Sequence, residues 1–168
     1  GLDLNNPKEI EKEFNRIKEQ YGSLDILVNN AGISQRESLY NLKPEDFANI
    51  LELNVNSIFY CSQVAATLMK HQGGGVILNT SSMVSIYGQS SGVGYPTSKF
   101  AVNGMTKSLA RELGKDNIRV NAVAPGVTNT DMVKVLPEEI IKPIIATIPL
   151  GRVGEPEDVA NAFLYLAS

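Results

Sequence analysis

The chain has 168 residues, 43% hydrophobic and 20% charged, which is enough for one domain with its own core and excludes a disordered or fibrous protein. Its net charge of −3 comes without a clustered basic stretch, so the electrostatic footprint of a nucleic-acid binder is missing, and no apolar run is long enough to span a bilayer. One cysteine and one histidine exclude an internal disulfide and a His/Cys metal cluster.

Asn5 or Asn6 can cap a first helix with Pro7 in its first turn; Ile10, Phe14 and Ile17 recur at helical spacing until Gly22. Leu24 to Val28 follows as a short apolar run that stops at Asn29-Asn30-Ala31-Gly32, the turn chemistry of a buried strand leaving its sheet. Pro44 opens a long helix in which Phe47, Ile50, Leu51, Val55, Ile58, Val64 and Leu68 keep the period until Gly73-Gly74-Gly75. Cys61 lies among its apolar residues and reads as a small buried thiol in a reducing, cytoplasmic setting, with His71 at the helix's solvated end.

Val76-Ile77-Leu78 begins a second strand, and a polar loop through Gly94 leads to a helix carrying Phe100, Met105, Leu109 and Leu113 that Gly114 ends. Ile118 to Val123 is a third strand, closed by Pro125-Gly126. Strands alternating with helices of this length, with no hairpin dipeptide between them, predict an α/β, doubly wound fold, a parallel sheet covered on both faces, as one domain over 1–168. Residues 131–151 carry Pro137, Pro143 and Pro149 in an apolar helical pattern and read as a substrate lid lined by Met132, Val133, Val135, Leu136, Ile140 and Ile141. The chain opens on Gly1-Leu2-Asp3-Leu4 and closes on an uncapped helical turn, the expectation for a piece of something longer.

Ligands of such sheets bind beyond the carboxyl ends of the strands, and three of those ends are polar or glycine-bearing: Asn30-Ala31-Gly32, Thr80-Ser81-Ser82 and Pro125-Gly126. Just downstream, Tyr95 and Lys99 stand four apart at a helix start, so an ammonium can lie near a phenol and lower its pKa towards neutrality, which suits proton exchange with a carbonyl or alcohol oxygen. By itself the pair also fits a solvated helix surface. Ser82 can hold a substrate oxygen beside Tyr95, or be an ordinary loop serine; Asn54, inside the long helix, sits where asparagine is unfavourable, or marks a mild kink.

Taken together in order and spacing, Asn29-Asn30-Ala31-Gly32, Asn54, Ser82, Tyr95-Pro96-Thr97-Ser98-Lys99, Asn121, Pro125-Gly126 and Thr130-Asp131 resemble the short-chain dehydrogenase/reductase family over essentially the whole chain. The wording from Tyr95 to Arg111 looks closest to bacterial 3-oxoacyl-[acyl-carrier-protein] reductases of fatty acid biosynthesis, with sugar-alcohol and hydroxysteroid dehydrogenases as the alternative. A non-catalytic binding protein or inactive fragment, and a sugar-nucleotide epimerase or dehydratase, are the other readings.

The resemblance implies an oxidoreductase that interconverts a ketone and a secondary alcohol with NADP or NAD, NADP being favoured by resemblance only. It makes Tyr95 the proton donor and acceptor, Lys99 its pKa modifier and a ribose ligand, Ser82 the holder of the substrate oxygen and Asn54 the anchor of a water that joins Lys99 to solvent. It sets Asp3 and Leu4 beside the adenine, Asn30, Ala31 and Gly32 along the adenosine, and Pro125, Gly126, Thr128 and Thr130 at the carboxamide. The family's glycine-rich turn belongs before Asp3 and its last strand after Ser168. The implied partners are a small-molecule or acyl-carrier-bound ketone and three further copies in a homotetramer, with no nucleic acid and no membrane. Leu68, Phe100, Met105 and Leu109 supply the apolar surplus that assembly would use.

Overall fold

The computed structural model describes residues 1–134 and 137–168, without the side chains of Met132, Lys134 and Glu138; of the expected lid lining, Val135, Leu136 and the Met132 side chain lie outside the described residues. In chain order the elements are α1 (Pro7–Tyr21), β1 (Ile26–Asn29), α2 (Pro44–Leu51), a π-helical turn (Glu52–Asn56), α3 (Ser57–Gln72), β2 (Gly75–Thr80), α4 (Val84–Tyr87), α5 (Gly94–Leu113), β3 (Ile118–Val123), α6 (Asp131–Lys134), α7 (Glu138–Thr147) and α8 (Pro156–Ala167).

Local signals set the ends of α1. The Asn6 side chain accepts from the backbone N–H groups of Lys8 and Glu9, Pro7 fills the first position, and Gly22 closes the helix at φ 88°, where a side chain would be strained. α5 departs from the expected glycine cap. Gly114 stays right-handed, a 3₁₀ turn continues over Gly114–Asp116, and Asn117 takes the left-handed position at φ 58°. Asparagine tolerates that region better than most residues, and here its side-chain amide also donates to the Gly73 carbonyl, 44 residues earlier.

The three strands are parallel in the order β1-β2-β3. Register puts Leu27, Ile77 and Val120 on one face, where Ile10 and Phe14 of α1 and Cys61, Ala65 and Met69 of α3 bury against them. Complete burial of a side chain such as Ile77 stabilises by about 1.5–3 kcal/mol. Burial raises the Cys61 thiol to about 11, the state of a packing residue rather than a nucleophile.

The other face carries α8, which packs on β2 and β3 and is tied by the Arg119 guanidinium to the Leu166 and Ala167 carbonyls. Over β1 this face is open: Ile26 and Val28 are about half exposed, so among the described residues the expected two-sided cover is incomplete. The expected apolar surplus also shrinks, because Leu68 is buried in the core and Leu109 packs against it, which leaves Met105 half-buried and Phe100 at 49% exposure.

Candidate active site

Crossover connections bring the carboxyl ends of β1, β2 and β3 side by side, and the start of α5 lies against them. Tyr95 is the second residue of α5, half-buried, with Ser82 beside its phenol. One turn on, Lys99 is only 4% exposed; its Nζ donates to the Thr80 carbonyl at 2.7 Å and stands 5.6 Å from the centre of the Tyr95 ring. The expected cluster of Ser82, Tyr95 and Lys99 is therefore present.

The electrostatics differ from the sequence expectation. Burial pushes the Tyr95 phenol above the ordinary tyrosine range, against a smaller opposite pull from Ser82. Lys99 does not counter this, because burial lowers its own pKa to about 8 and its ammonium is aimed at a backbone carbonyl. The free site thus holds a protonated phenol at neutral pH, the form that donates a proton.

Asn54 is completely buried within the π-helical turn, where the backbone ladder widens to i→i+5 bonds. Its Oδ1 accepts from the Ile33 N–H and its Nδ2 donates to the Ile33 carbonyl, each at 2.8 Å. The same Nδ2 reaches Ser98 Oγ at 3.0 Å, and Ser98 donates to the Tyr95 carbonyl. The sequence flags Asn54 as misplaced in a helix; its use is to knit the loop after β1 to the start of α5. A Cβ on Gly32 would lie 3.1 Å from Asn54 Oδ1 and 3.8 Å from Lys99 Nζ, so glycine keeps open the space next to both.

The residues expected at the cofactor divide into two groups. Leu4, Asn30 and Ala31 line one cavity of about 200 Å³, together with Phe14, Val28 and Ile58. Asp3 is exposed, its carboxylate accepting from the Asn5 N–H. Asn30 accepts from the Thr80 hydroxyl, which fastens the ends of β1 and β2. Beyond β3, the Pro125 carbonyl accepts from the Met83 N–H, Thr128 bonds the Gly126 carbonyl and pairs with Gly154, and Thr130 opens α6. A largely apolar cavity at one strand end and exposed backbone turns at another fit a dinucleotide laid across the sheet's edge.

Sequence reasoning passed over a buried polar chain beneath this site. Asn29 donates to Asn79 Oδ1 at 2.9 Å and to Ser62, and Asn79 donates to Thr106, so amides on adjacent strands couple α3 to α5. A signal was available: Asn79 interrupts the apolar run of β2, and a buried amide requires partners.

The whole chain, residues 1–168, matches the family described as Enoyl-(Acyl carrier protein) reductase. It is 71% identical over 165 residues to a 3alpha-hydroxysteroid dehydrogenase of Mediterraneibacter gnavus, covering 98% of this chain and 66% of that one. Identity is 42% with the 3-oxoacyl-[acyl-carrier-protein] reductase of Thermotoga maritima and 40% with that of Vibrio cholerae, at 99% and 100% of this chain and 68% and 69% of theirs. The chain thus spans about two thirds of the length of these relatives. With a family match over every residue, a parallel α/β sheet and the Asn54, Ser82, Tyr95 and Lys99 side chains gathered at its strand ends, the chain belongs to the short-chain dehydrogenase/reductase family.

Proposed function

We propose that the protein of which this chain forms the catalytic part is a nicotinamide-dependent oxidoreductase acting on the 3-position of hydroxysteroids. The observation that carries the reaction class is the Tyr95 phenol set between Ser82 and the buried Lys99. The substrate class rests on the 71% identity to a hydroxysteroid dehydrogenase against about 40% to the carrier-protein reductases, so the acyl-carrier substrate favoured by the wording after Tyr95 takes second place. The exposed apolar side chains of Met83, Ile86, Tyr87 and Val93, close in sequence to Ser82 and Tyr95, suit a rigid hydrocarbon better than a polar sugar.

When bound, NAD or NADP supplies hydride exchange at the substrate carbon. Ser82 donates a hydrogen bond to the substrate oxygen and holds it against Tyr95. In reduction Tyr95 gives its phenolic proton to that oxygen; in oxidation the phenolate takes it back. Lys99, with an ammonium close to titration, stabilises the phenolate as it forms. Leu4, Asn30, Ala31 and Gly32 hold the adenosine, and Pro125, Gly126, Thr128 and Thr130 receive the carboxamide.

Nicotinamide absorbance followed in the full-length protein separates the substrate classes. We expect kcat/KM for a 3α-hydroxysteroid to exceed that for a 3-oxoacyl thioester by roughly tenfold or more. The reverse order would transfer the assignment to acyl reduction, and turnover of neither would remove it.

The lid reading of 131–151 belongs to the same proposal. α7 has Pro143 inside it, which deletes a backbone donor, and among its described side chains none is buried. Amide hydrogen exchange in the full-length protein should slow across α7 when cofactor and steroid are added. Equal, strong protection with and without them would make α7 a fixed surface helix.

A further inference from the structure

The face of α5 that carries Tyr95 and Lys99 bears a third polar side chain, Asn103, one turn beyond the lysine. Its amide is engaged at both ends. Oδ1 accepts from the Ser81 hydroxyl at 2.6 Å, and Nδ2 donates to Ser85 Oγ at 2.7 Å. Both serines are buried, at 2% and 3% exposure, so these bonds are made without competition from water.

The amide's orientation fixes where the serine protons point. Because Nδ2 donates to Ser85 Oγ, the Ser85 hydrogen is directed elsewhere, and it goes to the carbonyl of Ser82 at 2.6 Å. The backbone N–H of Ser85 reaches that same carbonyl at 2.9 Å. Reversing the amide would set Oδ1 against Ser85 and draw its proton away from Ser82. Ser82 is therefore registered on the helix of Tyr95 by a route separate from the Lys99–Thr80 contact.

We infer that Asn103 and Ser85 are positioning residues that fix the Ser82 hydroxyl against the Tyr95 phenol, an inference that rests on the oxidoreductase reading above. Neither bonds the catalytic side chains directly; they act through the Ser82 carbonyl. A displacement of Ser82 of the order of 1 Å is enough to misalign the substrate oxygen for proton transfer, while the cavity that Leu4, Asn30 and Ala31 line has none of Ser81, Ser82, Ser85 or Asn103 in its wall.

The test is a cycle in the full-length protein: Asn103→Leu and Ser85→Ala, each alone and each combined with Ser82→Ala, with kcat, steroid KM and nicotinamide Kd measured for all. In the parent background kcat should fall by about tenfold for Asn103→Leu and several-fold for Ser85→Ala, with nicotinamide Kd within about twofold. In the Ser82→Ala background both losses should vanish, since the group being positioned is gone. Equal losses in both backgrounds, or no loss in the parent, would overturn the inference while leaving the oxidoreductase reading intact. Parental turnover by Ser82→Ala alone would overturn both. If Asn103→Leu does not fold, Ser85→Ala, which removes a single oxygen, decides the matter by the same cycle.

Discussion

Tyr95→Phe in the full-length protein should lower kcat by roughly a hundredfold to ten-thousandfold, the range over which positioned acid–base groups act, and leave cofactor affinity nearly unchanged. The substitution deletes one hydroxyl, keeps the ring and the half-buried packing at the start of α5, and removes the phenolic proton beside Ser82. The direction of the Tyr95 shift adds a pH signature. With its pKa raised by burial, the phenol is protonated at neutral pH, so ketone reduction has its donor ready while alcohol oxidation needs the scarcer phenolate. In the parent, oxidation should climb steadily as pH rises and reduction should hold flat before falling. Stopped assays in both directions across pH would show this, and a Tyr95→Phe variant that retains turnover and the same pH dependence would remove Tyr95 from the chemistry.

Lys99→Met should abolish most turnover, weaken nicotinamide binding and remove a rise of stability with pH that the buried lysine gives the parent. The folded-state pKa of Lys99 is about 8, below the 10.5 of an unfolded lysine. Between those values the unfolded chain binds the proton and the folded one does not, so stability rises with pH through this window. Below pH 8 both states are protonated and burial of the charge costs the fold about 3 kcal/mol, as an order of magnitude for a side chain 4% exposed. Methionine removes that cost and leaves the Thr80 carbonyl without its partner, a penalty that does not vary with pH. Urea unfolding of both proteins from pH 7 to 10.5 should therefore show the parent gaining about 3 kcal/mol relative to Lys99→Met. A constant difference would mean that Lys99 is charged throughout and that the site tolerates the charge.

What could be read in the sequence was what is decided locally. Asn6, Pro7 and Gly22 bound α1 because caps act within a few residues, and Ile118–Val123 was legible end to end because apolar residues at 118, 120, 122 and 123 alternate with Arg119 and Asn121 just ahead of Pro125-Gly126. Tyr95 and Lys99 were legible because helix geometry alone puts them on one face. Contacts between distant segments were not. The π-helical turn at Asn54 exists because Ile33, 21 residues earlier, offers its backbone to the amide, and nothing near Asn54 announces that. The Asn29–Asn79 pair joins strands 50 residues apart.

The pKa of Tyr95 failed for a related reason: spacing shows that a cation is near, whereas the burial that outweighs it depends on everything packed around the phenol. Asn103 lay in plain view as the third polar residue at four-residue spacing. Only its partners, Ser81 and Ser85 after β2, reveal that it ties α5 to the turn that carries Ser82.

The most direct measurement of the central claim follows the hydride itself. Full-length protein would be given a 3α-hydroxysteroid bearing deuterium on the carbinol carbon together with oxidised nicotinamide cofactor, and the products analysed by mass spectrometry. Direct transfer at a site run by Tyr95 predicts one deuterium in the reduced cofactor for each ketone formed, with ketone and label lost together in Tyr95→Phe. Ketone formed without label in the cofactor, or label transferred at the parental rate by Tyr95→Phe, would contradict it.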